Sequence, residues 1–467
     1  MLIIQYPISC VNIIEFLCKN VFTNYLGTDY KTKPHDDIGQ IVIGLENSTH
    51  KLILKSSTIL IKDPFRLQSY DFIESPIQLL YTNNKAPLLL NVDYFKPVLK
   101  GNTILISEDS IETDIDIFGL IFFMLSRVEE LDRSKLDIHS RFTAKSSKAY
   151  QHGFLERPIV DEYVEFLWTL MKCLWPNLER NALTSNTIVG CDVDAPYDCS
   201  SKKLSMLIRP LVGDVLKRAD IPGALNRIKR FINFRVKDEI DSSDDPNYTF
   251  DWYMDVVESY GLKATFFFIA DNSDGKSGCY SLKEDKIKLL IKKILDRGHH
   301  IGLHGSYSSY NNQEKLIIEK NILQNTLNDI GYDYKITESR QHYLRWDPET
   351  TIDILDNAGI LIDHSGSYAD HIGFRYGTSK RFRAFSLTKG KMLNIMIQPL
   401  HIMDCSLFAE EYQGLKYSKE TASYINDIIN KALSYGGSFS MLWHNNYFKN
   451  PSDEHFFKLL LESVNSN

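Results

Sequence analysis

Past Pro176 the chain settles into a repeating alternation of short apolar runs and longer segments whose apolar residues recur every three or four positions. The first pattern suits buried strands and the second amphipathic helices. Thr187–Cys191, Lys263–Ile269, His300–Leu303, Tyr343, Ile360–Ile362, Ile395–Pro399 and Ser438–Leu442 read as strands. Asp251–Tyr260, Lys286–Arg297, Gln313–Ile330, Pro348–Ala358 and Thr421–Tyr435 read as the helices that connect them. Strand–helix alternation predicts a parallel sheet with helical crossovers, and polar residues at the carboxyl ends of the strands favour closure into a barrel.

Before Pro176 the pattern is less regular. The opening M-L-I-I-Q-Y-P-I-S-C-V-N-I-I-E-F-L reads as a strand and a helix. Gln40–Leu45, Lys51–Leu54, Ser57–Ile61, Leu88–Val92 and Thr103–Ile106 follow as strand candidates. Asp114–Glu130 is apolar around nearly its whole circumference, as a buried core helix would be, and Val160–Leu174 supplies another helix. The chain is thus expected to be α/β, with a smaller α/β domain over 1–178 and a distorted (β/α) barrel over 179–467. Glu129, Glu130, Asp132 and Asp137 with Arg127, Arg133 and Arg141 suit a salt-bridged interface between the two.

One stretch, about 200–245, departs from this scheme. Ten Lys/Arg lie between Lys202 and Lys237 against Asp214 and Asp220, and apolar residues such as Leu204, Ile208, Leu225, Ile228 and Ile232 alternate with them at helical spacing. The acidic turn D-S-S-D-D-P at 241–246 closes it. Two readings stand: a solvated helical excursion packed on the barrel, or a basic amphipathic surface for an anionic membrane or ligand.

Composition narrows the function classes. A length of 467 residues exceeds one ordinary domain, and a formal charge of −7 argues against a nucleic-acid binder as a whole. Seven cysteines without a C-x-x-C pair read as reduced, mostly buried thiols in a reducing compartment. The N-terminus lacks the positive region of a signal peptide, and the apolar run Ile115–Leu125 is too short for a bilayer. The expectation is a cytoplasmic protein, peripheral to a membrane at most.

Four segments end an apolar run in reactive polar residues: T-I-V-G-C-D-V-D-A-P at 187–196, G-H-H-I-G-L-H-G-S-Y-S-S at 298–309, R-Q-H-Y-L-R-W at 340–346 and S-M-L-W-H-N-N-Y-F at 440–448. Asp192 and Asp194, two apart, repel if close unless a cation or a shared proton intervenes. A natural division makes one a metal ligand and the other a general base, although an isolated D-x-D also caps helices. His304 offers an imidazole, with the Ser308 hydroxyl one helical turn on. Arg340 can hold a carboxylate ionised through bidentate bonds, and Tyr343 and Trp346 can wall a sugar-sized groove. His444 suits a proton donor to a leaving group, and Asp363 is placed to bind its other ring nitrogen.

Together these motifs, with A-T-F-F-F-I at 264–269, resemble the NodB-type polysaccharide deacetylases (carbohydrate esterase family 4) over about 180–450. The resemblance implies a barrel that binds one divalent cation, usually zinc, and removes N-acetyl groups from amino sugars of a glycan. By position it makes Asp192 the general base and Asp194 and His304 ligands, with Ser308 where the family usually places a second His. Arg340 would orient Asp192, and the backbone N–H of Tyr343 would bind the oxyanion. Asp363 would tune the catalytic His, Leu442 would line the acetyl pocket and His444 would be the general acid. The N-terminal part is similar to a domain found ahead of such deacetylases in bacterial surface-polysaccharide clusters, on F-F-M-L-S-R-V-E-E at 122–130 and G-F-L-E-R-P-I-V-D-E-Y at 153–163.

Two rivals follow from the same residues. A glycosyltransferase or phosphatase would use D-x-D to hold metal and phosphate, but Ala195–Pro196 supplies no phosphate cradle. A non-catalytic barrel that binds glycans would explain Ser308, a poor ligand for a divalent transition metal.

Overall fold

The computed structural model describes residues 1–35, 40–55, 76–81, 96–98, 101–201, 204–237 and 245–465. The strand candidates Ser57–Ile61 and Leu88–Val92, Lys202, Lys203 and most of the acidic turn lie outside these residues.

Two sheets organise the chain. The first contains β1 (Leu2–Pro7), β2 (Tyr30–His35), β3 (Gln40–Leu45), β4 (Lys51–Lys55), β5 (Gln78–Tyr81), β6 (Thr103–Ile106) and β7 (Ser110–Thr113), in the order β2-β1-β3-β4-β7-β6-β5. Helices α1 (Val11–Cys18), α2 (Ile117–Ser126) and α3 (Ile159–Leu174) complete this half. Every residue of α2 is buried, as its uninterrupted apolar sequence requires, and the Asp116 carboxylate caps it by accepting the Gly119 N–H at 2.9 Å.

The second sheet contains β8 (Asn186–Val193), β9 (Ala264–Ile269), β10 (His300–Gly305), β11 (Glu338–Gln341), β12 (Ile362–Gly366), β13 (Phe382–Ser386), β14 (Lys391–Pro399), β15 (Ile402–Met403) and β16 (Ser438–Leu442). Its order is β13-β14-β12-β11-β10-β9-β8-β16-β15, parallel throughout except for the β13–β14 hairpin. All six residues of β9 are buried, the burial pattern of a parallel strand covered on both faces. The crossover helices lie at Phe250–Ser259, Asp285–Asp296, Gln313–Asp329, Thr351–Asn357 and Lys419–Leu433, close to the predicted positions. The strand expected at Tyr343 is instead Glu338–Gln341, with Tyr343 in the turn after it.

Closure comes from a bend between β14 and β15. β14 pairs with β12, and Leu400 N–H still bonds Gly366 O at 3.2 Å. One residue later His401 N–H bonds Ser440 O at 3.0 Å, and β15 pairs with β16. The β14–β15 segment thus joins the two ends of the parallel series, and the sheet becomes a distorted barrel.

The halves share a single apolar core. Phe16 and Phe122 of the first half each meet Phe385 of β13 at ring separations of 5.2 Å. Arg127 donates to Tyr368 Oη at 2.6 Å, and Glu130 receives both Arg127 and Arg375. Asp161, at the start of α3, accepts from Thr378 Oγ1 and from Ser379 N–H. The charged residues of 127–141 do lie at this junction.

Between β8 and β9 stands a helical hairpin, α4 (Leu204–Leu216) and α5 (Ile221–Val236). No described helix is long and apolar enough to cross a membrane. Cys10, Cys18, Cys173, Cys191 and Cys405 are free, but Cys279 is disulfide-bonded, so the redox argument for a reducing compartment does not hold.

Candidate active site

Parallel neighbours end on the same side of a sheet, so their last residues share one rim. β8 delivers Asp192 and Asp194, β10 delivers His304, and β11 with its following turn delivers Arg340 and His342. His444 follows β16 on the other side of β8. Residues two apart on a strand point to one face, which is how D-x-D and R-x-H each contribute a pair.

Asp192 is buried and Arg340 holds it, Nη1 to Oδ1 at 2.7 Å. The guanidinium is fully buried; it also donates to His364 O at 3.1 Å and stacks on Phe267, 4.4 Å from the ring centre. Gly190 makes room for it: a Cβ there would stand 2.7 Å from Arg340 Nη2. A buried carboxylate needs such a partner to remain charged.

Asp194, His304 and His342 form a second group, with potential ligand atoms within 4.8 Å of one another. His304 Nε2 lies 3.2 Å from Asp194 Oδ1 and 3.5 Å from Asp192 Oδ2. His342 Nε2 lies 3.5 Å from the same Asp194 oxygen. His304 Nδ1 is 2.8 Å from Arg340 O, and a carbonyl only accepts, so Nδ1 carries the proton and Nε2 is free to ligate. Both His304 Nε2 and Asp194 Oδ1 are buried without a hydrogen-bond partner. Buried polar atoms are rarely left so, and a carboxylate with two imidazoles is a donor set suited to zinc and similar cations. The residues fit a divalent ion. Burial pushes the Asp194 carboxyl up, but His342 and His304 hold it well below the usual range.

His444 is positioned from behind. Its Nδ1 lies 2.8 and 3.0 Å from the two carboxylate oxygens of Asp404, and Asp404 Oδ2 also accepts the His444 N–H at 2.5 Å. Burial favours the neutral ring, yet Asp404 and Cys405 raise its pKa well above the ordinary histidine value. The free nitrogen, Nε2, points at the same site, 3.7 Å from Asp194 Oδ2.

Four expected roles are not met by the positions of the residues. Ser308 lies in the turn after β10, where its hydroxyl accepts from Lys315 Nζ at 2.8 Å and faces Asp274; His342 occupies the third position by the aspartate. The segment does not continue as a helix past Gly305, so the one-turn spacing from His304 has no structural meaning. Asp363 is fully buried on β12 and bonded to Ser365 N–H and Oγ, and Asp404 rather than Asp363 holds His444. Trp346 is buried beneath Arg375, its ring 5.3 Å from the guanidinium carbon, and walls no groove. Leu442 is fully buried against Leu344 and Met403, and these two line the cleft in its place. His342 and Asp404 carried faint signals: R-x-H repeats the spacing of D-x-D, and D-C follows a short apolar I-M.

A cleft of about 250 Å³ opens over the pairs, lined by Tyr343, Leu344, Met403, Tyr412 and Arg141. Tyr343 and Leu344 both have positive φ, 62° and 54°, which non-glycine residues adopt at a cost. Arg141, from the N-terminal half, ties this turn down: Nη1 donates to Tyr343 O at 3.0 Å and Nη2 to Tyr412 Oη at 3.1 Å. Asp137 holds its other edge, Nε to Oδ2 at 2.8 Å.

Residues 241–378 match the polysaccharide deacetylase family, and residues 2–176 match a family of unknown function, DUF7033. The first match makes the barrel a polysaccharide deacetylase domain, a hydrolase of carbon–nitrogen bonds outside peptides. No curated protein matches the chain. Among solved structures, PuuE allantoinase is similar at 13% identity, over 63% of this chain and 87% of that one, with a TM-score of 0.38. A protein described as a "probable Polysaccharide deacetylase" from Pseudomonas aeruginosa PAO1 is similar at 13% identity, over 63% and 87% of the two chains, with a TM-score of 0.37.

Proposed function

We propose that this carbohydrate deacetylase is metal-dependent and removes N-acetyl groups from amino sugars of a bacterial surface polysaccharide or its precursor. The observation that carries the reading is the convergence of Asp192, the Asp194–His304–His342 group and His444 on one cleft. Asp194, His304 and His342 would hold a divalent cation, zinc by preference for such donors, and that ion would supply Lewis acidity toward water and an amide carbonyl.

The remaining work falls to the chain. Asp192, oriented by Arg340, accepts a proton from the attacking water. The backbone N–H of Tyr343 donates to the oxygen on which negative charge develops. His444, held protonated by Asp404, gives its proton from Nε2 to the departing amine nitrogen. Leu344 and Met403 offer the acetyl methyl an apolar wall. With three donors available, the glycan-binding alternative loses the observation that motivated it.

The test uses Asp192→Asn and His342→Ala. Acetate release from N-acetylated amino-sugar oligomers should fall about 10²–10⁴-fold in Asp192→Asn with zinc affinity near that of the parent. Zinc affinity, read by calorimetry, should fall in His342→Ala. Parent-like release in the first variant removes Asp192 from the role; unchanged affinity in the second removes His342.

A further inference from the structure

The α4–α5 hairpin is amphipathic in the wrong direction for a part of the fold's interior. On α4, Leu204, Ile208, Val212 and Val215 recur at spacings of four and three, and all are exposed. On α5, Ile221, Leu225, Ile228, Ile232 and Val236 do the same. Such stripes normally face a core. The inner side of the hairpin is held largely by ion pairs: Arg227 ties α5 to Asp214 of α4 at 2.8 Å and to Asp198 at 3.1 Å, and Arg230 reaches Asp198 at 3.5 Å, while Phe234 on Tyr197 and the buried Leu207 and Ala224 are its apolar contacts. Eleven of the 23 exposed large apolar side chains among the described residues lie on these two helices, so the patch is not the usual scatter.

Its charge identifies the partner. Residues 204–237 hold eight Lys/Arg against two Asp, in a chain whose formal charge is −7. Arg209, Lys217 and Lys229 are exposed and make no ion pair among the described residues. A second copy docked face to face would bring like charges together, which opposes association. An anionic bilayer answers both features: headgroups neutralise the basic rim while the apolar stripes sink into the acyl boundary. We infer that the α4–α5 hairpin is a docking surface for anionic membranes. Asp198, which anchors it, stands four residues after Asp194, so docking brings the reactive rim of the barrel near the bilayer surface.

The experiment is co-flotation of the full chain with vesicles of phosphatidylcholine alone or mixed with phosphatidylglycerol, at low and high salt. The parent should bind the anionic vesicles only, with affinity falling as salt rises. Leu225→Glu/Ile228→Glu should abolish binding while keeping the parent's circular dichroism and its release of acetate from soluble oligomers. Arg209→Gln/Lys217→Gln/Lys229→Gln should weaken binding about a hundredfold, from about fivefold per basic residue at such a surface. Failure of the parent to float with anionic vesicles at low salt overturns the inference. So does a concentration-dependent dimer that Leu225→Glu/Ile228→Glu dissociates, since the face then belongs to a second copy. Neither result bears on the deacetylase site, which acetate release reads separately.

Discussion

Asp404 holds the His444 ring through both carboxylate oxygens and accepts the His444 backbone N–H as well, so one buried side chain sets the ring's place, tautomer and charge. Asp404→Asn keeps the volume but removes the charge that stabilises the imidazolium. Steady-state kinetics should show kcat lowered about 10²–10⁴-fold with zinc affinity unchanged. Ser308→Ala serves as the control and should leave both as they are. Asp192, Asp194, His304 and His444 could be expected at one rim because each follows an apolar run, a context that a sequence displays directly; Arg340 follows the polar T-E-S and was singled out by its motif alone. Asp404 and His342 were not singled out, for different reasons. The partner of a histidine is chosen by where loops fold back, and the faint signal of I-M before D-C at 404–405 marks a strand end without saying what meets it. His342 stood in plain view within R-Q-H, but its approach to Asp194, 3.5 Å away, is a contact between segments that apolar periodicity does not reveal.

Elements were read best where burial makes them uniformly apolar. β9 and β16 fall where their runs predict, and helices misplace by a few residues at the ends, where fraying and caps decide. The β13 strand, F-R-A-F-S, escaped because it pairs antiparallel at an edge and breaks the strand–helix rhythm. β15 has only two residues and no pattern of its own. Yet the bend before it closes the barrel, and the bend depends on a neutral histidine. His401 is fully buried, its Nδ1 accepts from Ser440 N–H at 3.1 Å, and burial lowers its pKa to about 4. In the unfolded chain the ring titrates near 6.5. Below that value the unfolded state takes the proton first, so stability falls as pH drops from about 6.5 to about 4 and is fully present above 6.5. His299, also held to about 4, adds in the same window. Unfolding free energies from urea titrations at pH 7 and pH 4.5 should differ widely in the parent and by roughly 3 kcal/mol less in His401→Gln.

At the scale of the molecule, the two halves were legible as a change of rhythm near Pro176, but their mutual dependence was not. Long-range contacts leave no local periodicity. The N-terminal half sends Arg141 across to the turn that carries Tyr343, and the geometry of the cleft therefore involves both families of sequence. Arg141→Ala frees a turn whose two positive-φ residues each cost about 1–3 kcal/mol. Its kcat/KM on N-acetylated oligomers should fall about tenfold to a hundredfold, with a denaturant midpoint near the parent's, because the large shared core is untouched.

The β14–β15 bend has a practical consequence for anyone cutting the gene. A piece trimmed to 241–378 keeps β9 to β12 and discards β8 on one flank and the bend with β16 on the other. What remains is four strands with raw margins on either side, open to pairing with any neighbour in solution. Such a truncation is a recipe for inclusion bodies, and the shortest useful expression unit begins before β8 and runs beyond β16.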